Sequence, residues 1–166
     1  MNLTKDTYEY ILNFADDRTI LNMLSVNKKF RDEALFERIV KTRYPLLAKY
    51  IHYDTWTNYY IEMVYYLSKL EEEFDFPYIQ SPDFNPRTLY KFFKENPSPR
   101  TTITIGIYLA SKSGDASMIK YFLDRAEKEL SKSAYHVFLQ ESIQSSVKFG
   151  HLEAVKYLTE RAKLKS

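Results

Sequence analysis

Apolar residues recur at spacings of three and four along most of this chain, which places them on one face of an α-helix. The first such stripe is made of four residues: Tyr8, Ile11, Leu12 and Ala15. Thr4 stands at the expected N-cap, where its hydroxyl can accept a bond from a free backbone amide. The acidic pair Asp16-Asp17 ends this stripe and can cap a second helix. The pattern therefore predicts two short helices before residue 27.

Two further helices are predicted before residue 74. Asn27 is the expected cap of a third helix, and Pro45 marks its end because a proline pushes the preceding residue out of helical geometry. A longer stretch from 54 to 73 carries one apolar face, formed by Trp56, Tyr60, Met63, Leu67 and Leu70. The acidic run 71–73 opposes the helix dipole, which predicts fraying at that end.

Proline positions divide the rest of the chain. Three prolines within residues 74–86 predict the main non-helical connector. Asn85-Pro86 is typical of an N-cap followed by a first-turn proline, so a short helix through Phe93 is expected. The run 96–99 is a second break. No proline follows it, and the remaining residues predict four helices in two pairs.

These two pairs are related by an internal repeat with a period of 36 residues. Aligning Gly114 with Gly150 brings 107–126 onto 143–162. The identical pairs are Ile107/Ile143, Lys112/Lys148, Gly114/Gly150, Lys120/Lys156, Tyr121/Tyr157, Arg125/Arg161 and Ala126/Ala162. Each unit is a helix, a glycine turn and a second helix, and such units stack because one alone cannot bury its apolar face. Both glycines are expected in the same turn, with positive φ or in close helix contact.

Segments 110–123 and 146–158, in which a glycine ends one helix and an apolar-rich helix follows, resemble the middle of ankyrin repeats. The threonine-proline-leucine-histidine start of that repeat is missing from both units, as are the residues of its hairpin finger. The resemblance therefore implies ankyrin-like helix pairs without proper β-fingers. A generic antiparallel helical bundle is the alternative.

A second pattern covers residues 3–44. It opens with Leu3 and a predicted helix that ends in Ile11-Leu12. Its most specific stretch is Leu24-Ser25-Val26-Asn27-Lys28-Lys29-Phe30-Arg31, and Leu35-Phe36 follows. These features resemble an F-box, although Thr4 stands where that family normally has proline. An ordinary three-helix start to an all-α domain is the alternative.

Together, the two resemblances are similar to F-box and ankyrin-repeat proteins of giant DNA viruses. They imply that part of the N-terminal apolar surface binds a partner, the Skp-type adaptor of cullin-RING ubiquitin ligases. The candidates for this partner-binding surface are Leu3, Tyr8, Ile11, Leu12, Leu21, Leu24, Val26 and Phe30. Some of them must instead hold the three helices together. Leu12 and Val26 are expected at or beside the partner surface.

Composition excludes several kinds of chemistry. The 166 residues include no cysteine, three glycines and three histidines, so neither a disulfide framework nor a phosphate-cradling loop is expected. The histidines are far apart, and no metal-ligand spacing or catalytic motif is visible. We therefore expect no enzyme activity, cofactor or metal. The net charge of +2 gives no general attraction to nucleic acid or membranes, and an intracellular setting is expected, the host cytoplasm if the protein is viral.

The sequence predicts an all-α chain packed as one unit with three regions. They are F-box-like helices over 1–50, a connecting helical region with a proline-rich loop over 51–98, and two ankyrin-like helix pairs over 99–166. The hypothesis for function is a non-enzymatic adaptor that recruits a target to a cullin-RING ubiquitin ligase. The alternative is a self-associating interaction protein with no ubiquitin role, in which the same apolar surface forms a homo-oligomer.

Overall fold

The computed structural model describes residues 4–27, 30–51 and 54–164, and these residues form an all-α fold. The prediction of this fold class is confirmed, and no strand occurs in the described ranges. The helices are α1 Lys5–Asn13, α2 Asp17–Val26, α3 Glu33–Arg43, α4 Trp56–Phe74, α5 Pro86–Glu95, α6 Pro99–Ser113, α7 Ala116–Glu129, α8 Lys132–Lys148 and α9 Leu152–Leu164. A short 3₁₀ helix, Ala48–Tyr50, lies between α3 and α4.

The chain divides into two compact units, residues 1–68 and residues 69–166. The boundary between them lies inside α4. The sequence predicts a single packed unit, with region boundaries at 50 and 98 where helical periodicity breaks. A change of packing partner within a continuous helix leaves no such break, so sequence periodicity cannot locate it.

Side-chain caps set the starts of the first three helices. The predicted caps Thr4 and Asp16 accept bonds from the backbone amides of Thr7 and Thr19, at 3.2 and 2.8 Å. The third helix differs from its prediction, because its N-cap is Asp32 and not Asn27. The Asp32 carboxylate accepts a 3.1 Å bond from an amide in the first turn of α3, so this helix begins at Glu33.

The acidic end of α4 is helical, so the predicted fraying over residues 71–73 is wrong. Glu73 accepts hydrogen bonds from the Tyr90 hydroxyl at 2.6 Å and from Lys94 Nζ at 3.1 Å. The Phe74 ring also packs on Phe93, with 5.5 Å between the centroids. These contacts with α5 offset the unfavourable helix dipole. The helix then stops at Asp75, whose φ of 52° is left-handed.

The core of the first unit is centred on α3. Buried residues come from four helices: Ile11, Ile20, Leu24, Leu35, Phe36, Ile39, Val40, Tyr60, Met63 and Val64. Phe36 and Tyr60 pack with ring centroids 5.2 Å apart. The apolar stripes of the first four helices thus meet in one interior, as amphipathic helices require.

The second unit joins an aromatic cluster to two helical hairpins. Phe76 lies with its ring centroid 6.0, 5.1 and 5.2 Å from those of Phe84, Phe93 and Phe122. The hairpins are α6–α7 and α8–α9, and α8 contacts both helices of the first hairpin. Only residues 130 and 131 separate α7 from α8, which leaves no room for a β-finger.

Candidate partner-binding surface

A half-buried arginine holds the bend between α1 and α2. Arg43 donates hydrogen bonds to the carbonyl oxygens of Ile11 and Ala15, at 2.7 and 2.5 Å, and to the Asp17 carboxylate at 3.2 Å. Carbonyls at a helix end lack partners within the helix, so a cation placed there satisfies them. Tyr60 donates to the same carboxylate at 2.5 Å. Burial, followed by the Asp17 charge, raises the pKa of Tyr60 above its ordinary value.

Two carboxylates join the starts of the helices in this unit. Asp32, the cap of α3, also accepts a 2.6 Å bond from the Tyr8 hydroxyl, and this bond raises the pKa of Tyr8 to about 12. Glu33 accepts bonds from the amides of Trp56 and Thr57, at 2.5 and 3.2 Å, and so caps α4 from a distance in sequence. These hydrogen bonds, together with those of Arg43, therefore fix the helices of this unit relative to one another.

The structure separates core residues from surface residues among the F-box-like candidates. Ile11 and Leu24 are buried and belong to the core. Together with half-buried Phe30 they line an apolar cavity of about 10 Å³, whose other walls are Ile20, Met23, Leu35 and Phe36. A cavity of this size holds no more than about one water molecule, so it is a packing gap rather than a ligand site.

The remaining candidates are nearer to solvent. Tyr8, Leu12 and Leu21 are half-buried, whereas Val26 is 87% exposed at the end of α2. Leu3 lies outside the described residues. Neither Leu12 nor Val26 is fully buried, so neither belongs to the core of this unit. Their role in partner binding stays a prediction.

Two exposed aromatic residues, one in the last turn of α1 and one directly after that helix, were not among the sequence candidates. Phe14 is 77% exposed, and its ring centroid lies 6.1 Å from that of exposed Tyr10. Their spacing of four residues places them on one side of α1, which is a signal that the sequence does contain. The spacing of Tyr10 and Phe14 is easily overlooked, because the more prominent apolar stripe through Ile11 and Ala15 is the one that supplies the core. We use the name α1–α2 apolar surface for the exposed or half-buried apolar residues Tyr10, Leu12, Phe14, Leu21 and Val26. Among them Tyr10 and Phe14 are in contact, whereas Leu12, two residues from Tyr10, lies on another side of α1.

The composition of this surface favours hydrophobic contact over the binding of a metal ion or a charged ligand. None of its five side chains carries a charge. Among the described residues, no three acidic or histidine side chains gather as a potential metal-ligand set. Exposed apolar side chains mark sites of contact with another protein when they form a contiguous patch, whereas single exposed apolar residues are ordinary.

In the second unit, the repeat-related glycines share one backbone conformation. Gly114 and Gly150 have φ values of 74° and 76°. Their surroundings differ, because the His151 ring lies against Gly114 and its Nε2 is 2.7 Å from the carbonyl oxygen of Lys112. A Cβ atom added at Gly150 would meet nothing within 4 Å among the described neighbours.

The repeat-related arginines each connect their hairpin to the element before it. Arg161 donates to Asp124 of the first hairpin at 2.8 Å. Hydrogen bonds to Tyr135, Tyr157 and Asp124 outweigh the effect of burial and raise the pKa of Arg161. Arg125 donates to the backbone carbonyl of Asp75 at 3.0 Å. Arg125 therefore joins the first hairpin to residues 74–75, just as Arg161 joins the second hairpin to the first.

Comparison with known protein families, curated proteins and solved structures finds no significant match. Within the described ranges, no helix combines the length and the hydropathy that crossing a bilayer requires.

Proposed function

We propose that this protein is a non-enzymatic adaptor whose α1–α2 apolar surface binds a Skp-type adaptor of a cullin-RING ubiquitin ligase. The observation that carries the proposal is the exposure of Val26, the last residue of α2, and of Phe14, the residue after α1, since the inner sides of both helices complete a core without them. The F-box-like stretch around Val26 supplies the identity of the partner. The ankyrin-like hairpins of the second unit are the proposed holder of a target.

The energetics favour contact with a partner. A fully buried Val or Phe side chain contributes about 1.5–3 kcal/mol relative to an exposed one. In the isolated chain Val26 and Phe14 forgo most of this stabilisation, which a partner groove can supply. Arg43 and Asp17 hold α1 and α2 in place beforehand, so little conformational entropy is lost on binding.

Binding to a purified Skp-type adaptor, measured by isothermal titration calorimetry, tests this function. Val26→Lys and Phe14→Ala should each weaken binding by roughly tenfold or more. Val137→Lys is the matched control, since Val137 is an exposed valine in the other unit. No binding by the wild-type protein, or equal weakening by Val137→Lys, would contradict the proposal.

The ubiquitin role requires a second measurement. A pull-down from host-cell lysate with mass spectrometry should enrich both Skp-type adaptor and cullin, and the Val26→Lys variant should lose both. Wild-type protein that binds no purified adaptor, but self-associates through a contact that Val26→Lys abolishes, would favour a self-associating protein with no ubiquitin role.

A further inference from the structure

Tyr10 and Phe14 form an aromatic pair whose rings are accessible from outside the chain. Tyr10 is 55% exposed and Phe14 is 77% exposed. Their ring centroids lie 6.1 Å apart and the two ring planes are tilted by 38°, so neither ring covers a whole face of the other. The faces of both rings are therefore available to a group of another molecule.

A tyrosine of similar exposure in the second unit carries a cation of the chain itself. Tyr108 is 48% exposed, and the Nζ atom of Lys112 lies 5.8 Å from its ring centroid. A cation in that position is attracted by the negative charge of the aromatic face. Among the described residues, no lysine or arginine side chain lies over the ring of Tyr10 or Phe14. This pair therefore lacks the cation that Tyr108 has.

A carboxylate lies one helical turn before this pair. Asp6 is exposed and stands four residues before Tyr10, which places both on the same side of α1. The nearest cation in sequence, Lys5, lies 4.0 Å from the carboxylate of Glu9. Within the described ranges, the Asp6 carboxylate has neither an ion pair nor a hydrogen bond. Its negative charge is therefore available to a group that binds at Tyr10.

The region that carries the aromatic pair is acidic as a whole. Residues 4–26 have a formal charge of −2, from four carboxylates and the two basic side chains Lys5 and Arg18. Arg43 pairs with one of these carboxylates, that of Asp17, at 3.2 Å, and the other three are exposed. Complementary charge across an interface favours the matching partner and disfavours one of like charge. The charge of this region therefore favours a basic group at the pair.

We infer that the rings of Tyr10 and Phe14, with Asp6 beside them, receive an arginine side chain of the protein that binds the α1–α2 apolar surface. Arginine suits this position because its planar guanidinium group stacks on an aromatic face while donating hydrogen bonds to a carboxylate. The pair thus adds a charge requirement to a surface that otherwise selects only for apolar groups. The inference rests on the proposed function for the identity of the bound protein, whereas the arginine site itself can be tested without that protein.

A titration of the full chain with the acetylated and amidated tripeptide Leu-Arg-Leu, followed by NMR, tests the arginine site directly. The ring protons of Tyr10 and Phe14 should shift and saturate between ~10 and ~100 mM peptide, and those of Tyr108 should shift less because Lys112 already lies over that ring. The same peptide with citrulline, a neutral group of the same shape, should cause little shift. Asp6→Asn should raise the dissociation constant roughly twofold to fivefold. Equal shifts from the two peptides, no shift at ~100 mM, or no effect of Asp6→Asn would overturn the inference.

Calorimetry with a purified Skp-type adaptor tests the same site in the complex. Phe14→Leu keeps an apolar side chain but removes the ring, so it should weaken adaptor binding roughly threefold to thirtyfold, whereas a purely apolar groove tolerates leucine. Phe92→Leu is the matched control, since Phe92 is an exposed phenylalanine of the second unit. Adaptor binding that Phe14→Leu leaves unchanged would overturn the inference. A wild-type chain that binds the arginine peptide but no adaptor would contradict the proposed function and support the arginine site.

Discussion

Replacing each of the two repeat-related glycines by alanine would measure how much the stacking of the hairpins contributes to stability. Gly114 and Gly150 have nearly equal φ values of 74° and 76°, so alanine suffers the same backbone strain at both. That strain is about 1–2 kcal/mol for an L-residue in the left-handed region. The lower conformational entropy of the unfolded alanine chain offsets about 0.4–1 kcal/mol of it. We expect Gly150→Ala to lower the free energy of unfolding by about 1 kcal/mol.

Gly114→Ala should cost more, because the added methyl group meets a neighbour. Its Cβ would lie 2.5 Å from Nδ1 of His151, which is far inside van der Waals contact. The ring must move, and its hydrogen bond to the Lys112 carbonyl oxygen is then lost. Such a bond contributes about 0.5–1.5 kcal/mol net. We therefore expect a total loss of about 2–3 kcal/mol for Gly114→Ala.

Urea unfolding followed by far-ultraviolet circular dichroism measures both losses, at a protein concentration where the chain is monomeric. Fluorescence of Trp56, the only tryptophan, identifies the transition of the first unit separately. Repeating both substitutions in a His151→Ala background completes a double-mutant cycle. In that background the cost of Gly114→Ala should fall to that of Gly150→Ala. Equal costs in the wild-type background, or a Gly114→Ala cost unaffected by His151→Ala, would refute the reasoning.

Three other measurements test separate parts of the structure. Gly106→Ala places a Cβ 2.4 Å from the Phe122 ring. The substitution should therefore lower the free energy of unfolding in urea by about 1–2 kcal/mol, although alanine has the better helix propensity. A stabilised variant would contradict this packing. Leu24→Ala, in the core, should cost about 2–5 kcal/mol, whereas Val26→Ala should stay within about 0.5 kcal/mol, and equal losses would contradict the division between core and surface. The Thr19 amide lowers the pKa of Asp16 through a hydrogen bond. The cap therefore stabilises the fold fully at pH values above the pKa of this carboxyl in the unfolded chain. That stabilisation is lost as the pH falls through the lower pKa of the folded state. Asp16→Asn keeps the acceptor without the titration, and thermal unfolding from pH 7 to pH 3 should therefore be less pH-dependent in that variant.

The sequence alone determined the class of the fold and most helix positions. Periodicity and capping residues are local features, and they suffice for the starts of α1, α2 and α5. The 36-residue repeat likewise predicted two helical hairpins. A glycine at a helix end indicates a residue with positive φ, and this is a local property of the backbone. The exposed pair Tyr10 and Phe14 was also readable from its spacing, although the stripe that supplies the core obscured it.

Tertiary structure decided what covers each apolar face. Asp32 caps α3 while also binding Tyr8, and Glu73 is held in helical geometry by α5, so contacts distant in sequence moved both helix ends away from their predictions. Ile11 and Val26 both fit the F-box-like pattern, yet one is buried and the other is exposed. Gly114 and Gly150 have the same turn, but only Gly114 has His151 against it. A helical pattern specifies that a face is apolar, while burial depends on which element arrives to cover it, and that is a property of the packed chain.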